Sequence, residues 1–274
     1  MLTFPNAKIN LGLRITEKRP DGFHNLQSCF FPVGWSDVLE VIPADSFRFS
    51  SSGLPIPGDA GSNLCVRAYE RLRADFDLPP VQLHLHKNVP IGAGLGGGSA
   101  DAAFTLKLLN ERFALGLSTA TLEDYARPLG SDCAFFIQNR PMYCTEKGDV
   151  FDEIALDLTG YHLLLVYPNL AISTAEAYAS IRPHQPEVPL NQLLRAPVDT
   201  WRSTVHNDFE DSLFPAYPLL AAIKQQLYEA GAVYASMSGS GSTVYGIFDA
   251  PVACPNQFAD YSVWQGNCST VTAR

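Results

Sequence analysis

The 274 residues predict a mixed helix-and-strand protein, α+β or α/β, and three observations carry that reading. Apolar and polar residues alternate strictly from position 7 to 16, the period of a strand with one face against a core. Five glycines in the seven positions from Gly92 to Gly98 hand over to a helical apolar pattern. Beyond residue 155 strand-like and helix-like runs alternate afresh, which puts a boundary there and divides the chain into 1–155 and 156–274.

Taken in order, Ile9, Leu11, Leu13 and Ile15 form the apolar set of the first strand, and Lys8, Asn10, Gly12 and Arg14 the other. Lys8 and Asn10 therefore point the same way, roughly 7 Å apart along the strand. Arg19-Pro20-Asp21-Gly22 is a turn signal that leads into Phe23 and His24. A helix is expected over 63–76, capped by Asn63 or Ser62, with Leu64, Ala68 and Leu72 on one face. Residues 81–87 alternate again until Pro90 stops the strand. The glycine run then opens a helix over 99–113. A further helical pattern, 122–129, ends at Gly130-Ser131-Asp132 and precedes an apolar run at 134–137. In the second half, 161–167 reads as a strand, and Ser173 with Glu176 has the spacing of a capping box for a helix carrying Tyr178. The proline-rich stretch 183–197 reads as irregular. A helix over 218–230 is closed by Gly231. After 232–237 comes the loop Ser238-Gly239-Ser240-Gly241-Ser242, and a strand returns over 243–248. No internal repeat is visible.

Composition narrows the function classes. A formal net charge of −9 argues against a nucleic-acid binder, which needs a basic face. The longest apolar stretch, near 163–167, is far too short to span a bilayer. Polar Asn6, Lys8 and Asn10 interrupt the N-terminus, so no signal peptide is expected. The six cysteines form no CxxC pair and no zinc spacing and read as reduced thiols of a cytoplasmic protein.

The segment Pro90, Gly92, Ala93, Gly94, Leu95, Gly96, Gly97, Gly98, Ser99 carries the strongest chemistry. Glycine accepts positive φ and lets its N–H come close to a ligand. The unpaired N–H groups and dipole at a helix N-terminus favour an anion, most often a phosphate. Gly92-x-Gly94-x-x-Gly97 matches a dinucleotide fingerprint, but the acidic residue expected about 20 positions on is missing. No Lys-Ser/Thr follows the last glycine, so this is not a Walker A loop. Ser99 reads as an N-cap, as a phosphate contact, or as both. His84 and His86 share a strand face without a third ligand and read as surface residues, which leaves the metal ligands unknown.

Residues 90–101, Ala7-Lys8-Ile9-Asn10-Leu11, Leu129-Gly130-Ser131-Asp132 and Ser238–Thr243 together resemble the GHMP kinases, the superfamily of galactokinase, homoserine kinase, mevalonate kinase and phosphomevalonate kinase. Within it, Arg19-Pro20-Asp21-Gly22-Phe23-His24-Asn25-Leu26-Gln27 and Asn207-Asp208-Phe209-Glu210 resemble the branch acting on a cytidine diphosphate-linked polyol. The resemblance runs from residue 4 to about 248. It implies an α+β, two-domain fold: an N-terminal part like the second domain of ribosomal protein S5, a C-terminal α/β sandwich, and a deep cleft between them. It also implies ATP and Mg2+ as cofactors, a small-molecule substrate, and a monomer or weak homodimer.

By the same resemblance Asp132 is the catalytic aspartate and Lys8 its partner. The chemistry agrees, since phosphoryl transfer needs charge stabilisation and a place for the hydroxyl proton. A carboxylate beside an ammonium stays ionised and able to accept that proton. Taken alone, Asp132 reads as a turn residue and Lys8 as part of a solvated strand face. Residues 90–99 would wrap the triphosphate, and Asn63 and Lys87 would line the adenosine pocket. Phe23 and His24 would meet the cytosine, Tyr178 would stack on it, and Asn10 would sit on the substrate side. Ser238, Gly239, Ser240 and Gly241 would close over the substrate's phosphates. The family commonly has Ala-Asp-Val-Pro at the aspartate where this chain has Ser131-Asp132-Cys133-Ala134, which alters how the aspartate is presented. A homoserine- or mevalonate-type kinase, or a regulatory protein that keeps the loop without turnover, are the alternatives.

Overall fold

A long antiparallel ribbon organises the N-terminal half. In the computed structural model, which describes residues 1–268, a short β1 (Leu2–Thr3) is followed by β2 (Asn6–Lys18) and β3 (His24–Ser36). The expected turn joins these two strands: the Arg19 N–H donates to the Phe23 carbonyl at 2.8 Å, and Gly22 takes φ +86°. Then come β4 (Val38–Pro43), β5 (Arg48–Gly53), α1 (Leu64–Asp75), β6 (Val81–Lys87), α2 (Gly97–Arg112), α3 (Thr119–Ala126), α4 (Cys133–Gln138), β7 (Met142–Thr145) and β8 (Val150–Glu153). One sheet has the order β1-β4-β6-β5 and the other β2-β3-β7-β8. Leu39, Val41, Leu83 and Leu85 of the first sheet pack with Tyr69 and Leu72 of α1, Leu106 of α2 and Phe135 of α4 in one buried core.

The C-terminal half contributes β9 (His162–Tyr167), α5 (Thr174–Ala179), α6 (Leu190–Leu193), α7 (Trp201–Thr204), α8 (Phe209–Ala216), α9 (Pro218–Glu229), β10 (Tyr234–Met237), β11 (Val244–Phe248) and β12 (Ser262–Asn267). Its antiparallel sheet has the order β10-β11-β9-β12. One face, with Leu164, Val166 and Met237, packs on Phe209 of α8 and on Ile223 and Leu227 of α9. The other face presents Leu163, Leu165, Tyr245 and Ile247 to Ala7, Ile9 and Leu11 of β2 and to Phe31 and Val33 of β3. The two halves thus share a core.

That shared core changes the reading of the first strand. Alternation predicts one buried and one open face, yet Lys8 and Asn10 are only 4% and 2% exposed. The glycine-rich segment covers them, with the Lys8 N–H donating to the Leu95 carbonyl at 2.9 Å. Other differences are smaller. Helix α2 begins two residues earlier than expected, so Gly97 and Gly98 form its first turn behind Gly96, which caps it in the left-handed region at φ +70°. Ser99 is therefore inside the helix and is not its N-cap. The helix expected at 122–129 lies at Thr119–Ala126, capped by Ser118, and the irregular 183–197 stretch contains the one-turn α6. All six cysteines are free, and five of them are buried. Among the described residues no helix is long and apolar enough to cross a membrane.

Candidate active site

Where β2 meets the start of α4, three side chains converge. Lys8 Nζ lies 3.4 Å from Asp132 Oδ2 and donates to Asn10 Oδ1 at 2.6 Å. Asn10 in turn donates through Nδ2 to Ser28 Oγ at 2.8 Å, which fixes its amide orientation. The ring of Phe30 lies under the ammonium, 4.5 Å away. Asp132 occupies the N-cap position of α4 but makes no capping bond, so its carboxylate is not consumed by its own helix. Lys8, Asn10 and Asp132 border one cavity together with Gly92, Gly94, Gly96, Gly239 and Ser240.

Two glycine loops form the rim of that cavity. Gly92, Gly94 and Gly96 all take positive φ, and Gly96 offers α2 no side-chain cap. The first N–H groups of α2 are thus available to an anion. The second loop, 238–242, is stitched to the first. Ser238 Oγ accepts the Asn10 N–H at 3.3 Å and donates to the Gly94 carbonyl at 2.8 Å. A side chain on Gly94 would stand 2.1 Å from the Ser238 carbonyl oxygen, so only glycine fits. On its outer side the glycine run lines a second cavity with Ile56, Asn63, Leu64, Lys87, Pro90 and Ser99, an apolar slot beside an anion cradle.

A third cavity, of about 540 Å³, is walled by Phe23, His24, Arg127, Lys147 and Tyr178. Phe23 is 59% exposed there, a large aromatic left without cover. His24 and Tyr178 stack on each other at 4.8 Å, and Tyr178 also packs edge-on against Phe209. Burial, with Asp132 adding to it, pushes the Tyr178 hydroxyl up to about 12, so it remains a donor. Burial and then the charge of Lys18 lower His24, favouring the neutral imidazole.

Comparison with known proteins decides the family. The GHMP kinases N terminal domain model matches residues 63–140 and the GHMP kinases C terminal model matches 192–254. The 4-diphosphocytidyl-2-C-methyl-D-erythritol kinase of Cytophaga hutchinsonii is 52% identical over 250 residues, covering 91% of this chain and 93% of its own. That of Bacteroides fragilis is 54% identical over 252 residues, covering 90% and 92%. The chain belongs to the 4-diphosphocytidyl-2-C-methyl-D-erythritol kinase family. A crystal structure of 4-(cytidine 5'-diphospho)-2C-methyl-D-erythritol kinase superposes with a TM-score of 0.81 at 29% identity, covering 97% of this chain and 98% of that one. Phosphomevalonate kinase of Streptococcus pneumoniae, with a TM-score of 0.65 at 14% identity, shares the fold. Family membership makes the protein a small-molecule kinase and a user of ATP.

Within this kinase fold the sequence-predicted residues fall into distinct places. Lys8, Asn10 and Asp132 are brought together, and Gly239 and Ser240 join them. Ser238 is fully buried and spent on the stitch between loops, and the Gly241 N–H is tied back to the Ser238 carbonyl at 3.0 Å. Asn63 lines the outer cavity while capping α1 through the Cys65 N–H. Lys87 also lines it, but its ammonium is bound by two buried carboxylates, Asp37 and Asp101. Burial opposes that charge, and Asp101 and Asp37 outweigh it, so the Lys87 pKa is raised. Asp101 itself is pushed up to about 7 by burial, with one carboxylate oxygen lacking a partner. Asp37, Asp101 and Lys147 were not found by sequence reasoning. Asp101 lies one helical turn past Gly97, a spacing that could have flagged it.

Cys133 beside the aspartate is buried and its thiol is pushed up to about 11, chiefly by that burial, so it is a packing residue and not a reactive one. His84 is bound between Ser50 and Ser52 on the open sheet face. Magnesium fits the rim as a companion of phosphates: it takes oxygen ligands and keeps several waters. The Ser99 hydroxyl and the Asp132 carboxylate are hard oxygen donors on either side of the loop.

Proposed function

We propose that this protein transfers the γ-phosphoryl group of ATP to the 2-hydroxyl of 4-diphosphocytidyl-2-C-methyl-D-erythritol, a step of non-mevalonate isoprenoid precursor synthesis. The observation that carries the chemistry is the Lys8–Asp132 pair at 3.4 Å, set between two glycine loops. Asp132 accepts the hydroxyl proton as the oxygen attacks the γ-phosphorus. Lys8 stabilises the negative charge that develops on that oxygen, and Asn10 holds the ammonium in place. The N–H groups of residues 92–99 bind the triphosphate, with the base in the slot beside Asn63 and Leu64. Mg2+, when bound with the nucleotide, neutralises phosphate charge and polarises the transferred group. Ser99 is the side chain best disposed to hold it.

At the acceptor end the cytosine stacks on the exposed Phe23 ring, against the His24–Tyr178 pair. The neutral His24 imidazole offers the base edge one donor and one acceptor. Gly239 and Ser240 close over the substrate, and Ser238 and Gly241 act through the shape of that loop. Functionally the chain divides into an ATP-binding part, 1–155, and a substrate-side part, 156–274. Six free thiols and the acidic net charge support a cytoplasmic enzyme that binds no nucleic acid.

The test is ADP release with ATP and magnesium, comparing the cytidyl substrate with homoserine, mevalonate and galactose. Turnover confined to the cytidyl substrate is expected. Turnover of another alcohol would keep the fold and mechanism but discard the cytidine end. Nucleotide binding with no turnover of any would point to a regulatory protein.

A further inference from the structure

We infer that Lys147 holds the diphosphate of the cytidine substrate, an assignment that rests on the acceptor proposed above. Such a substrate must occupy two cavities at once. Its base lies beside Phe23 and Tyr178, and its reacting hydroxyl beside Lys8 and Asp132. The diphosphate spans the junction between them. Ser131, Lys147, Thr174 and Tyr178 border both cavities, and Lys147 is the cation among these four.

The fold presents this lysine deliberately. It stands in the tight turn between β7 and β8, where the Gly148 N–H donates to the Thr145 carbonyl at 2.9 Å and Gly148 takes φ +86°. Glu146, just before it, is anchored twice to the β2–β3 connection. Its carbonyl accepts the Leu26 N–H at 2.8 Å and its carboxylate accepts from Arg19 Nη1 at 2.5 Å. The turn is thereby pinned to the segment that carries Phe23 and His24. Lys147 Nζ stands 5.3 Å from the centre of the Phe23 ring.

The other cations nearby are already engaged. Lys8 is bound to Asn10 and Asp132, and Arg127 donates to the Asp149 carbonyl at 2.7 Å while facing Glu123 and Asp124. Lys147 has one ion partner, Asp149 at 3.6 Å, and both side chains are more than a third exposed. Such an exposed pair is weak. The ammonium can turn from Asp149 to a phosphate oxygen without leaving a buried charge unpaired. In a chain of net charge −9, a diphosphate needs a local cation of this kind.

Calorimetric titration with CDP and with cytidine tests the assignment without any turnover. Wild-type protein is expected to bind CDP about tenfold or more tightly than cytidine, the margin of one charge-assisted contact. Lys147→Met should bind cytidine as the wild type does, lose most of that margin, and raise KM for the cytidyl substrate while sparing KM for ATP. Lys147→Arg, which keeps the charge, should restore most of the margin. An unchanged CDP-to-cytidine ratio in Lys147→Met overturns the role of Lys147 and leaves the cytidine reading standing. A wild-type protein that binds neither ligand overturns both.

Discussion

At the scale of single residues, the aspartate is the point of greatest leverage. Asp132 makes no capping bond and its carboxylate faces an ammonium and a cavity, so its replacement by an isosteric amide should leave the fold intact. Asp132→Asn is expected to lower kcat by about 10²- to 10⁴-fold, the range of a lost general base, with nucleotide affinity nearly unchanged. Steady-state kinetics beside nucleotide titration checks this, and a variant retaining most of kcat would reduce Asp132 to orienting the hydroxyl. The residue types were legible in the sequence because Lys8, Asn10 and Asp132 sit in recognisable surroundings. Their burial was not, because the cover over β2 comes from residues more than 80 positions away, at Leu95 and Ser238.

At the scale of elements, the glycine run and the helix it opens act together. Gly92→Ala meets no atom within 4 Å and carries only the cost of a left-handed conformation, about 1–2 kcal/mol. Gly94→Ala adds a collision with the Ser238 carbonyl. It is expected to destabilise by clearly more than Gly92→Ala in urea unfolding and to raise KM for ATP, because both loops must part. The start of α2 was misread by two residues for a related reason. Glycine is a poor helix former, but Gly97 packs against Val89 and Lys87 so closely that a Cβ would stand 3.0 Å from the lysine nitrogen. Packing overrides propensity there. The same contact leads to Asp101, whose partners lie 14 and 50 or more positions away and leave no periodic trace in the sequence. With its folded pKa raised to about 7 from the ordinary 3.8, Asp101 binds its proton more readily folded than unfolded. Its contribution to stability is present in acid and is lost as pH rises towards and through 7. Asp101→Asn removes that loss, so its Tm relative to wild type should increase between pH 5 and pH 8. A pH-independent difference would show that Asp101 does not titrate in this window.

At the scale of the whole molecule, Asn207-Asp208-Phe209-Glu210 fastens the halves together. Asn207 donates to the carbonyls of Met237 and Gly239 at 2.8 and 2.9 Å, and Asp208 accepts from the Ile15 N–H at 2.7 Å and pairs with Arg14. Glu210 accepts from Ser236 and from the Met237 N–H. The segment was visible in the sequence as a family marker, but its work was not, because every partner lies in another part of the chain. Asn207→Asp sets a carboxylate against two carbonyls and should cost about 3 kcal/mol in denaturant unfolding. Because the Gly239 carbonyl is released, kcat/KM for the acceptor should fall more than KM for ATP rises. Equal effects on both substrates would make Asn207 a matter of stability alone.

The apolar seam between β2 and the β9–β11 pair has a consequence for descent. Ile9 and Leu11 are packed by Leu163, Leu165 and Tyr245, so neither half can drift in sequence without the other adjusting its side of the seam. A nucleotide-binding half borrowed from a distant kinase of the same architecture would arrive with the wrong ridge for that groove. New acceptor specificities in this lineage must therefore have been reached by editing the exposed turns around the cleft, while the ancestral pairing of halves passed on as a single heritable unit.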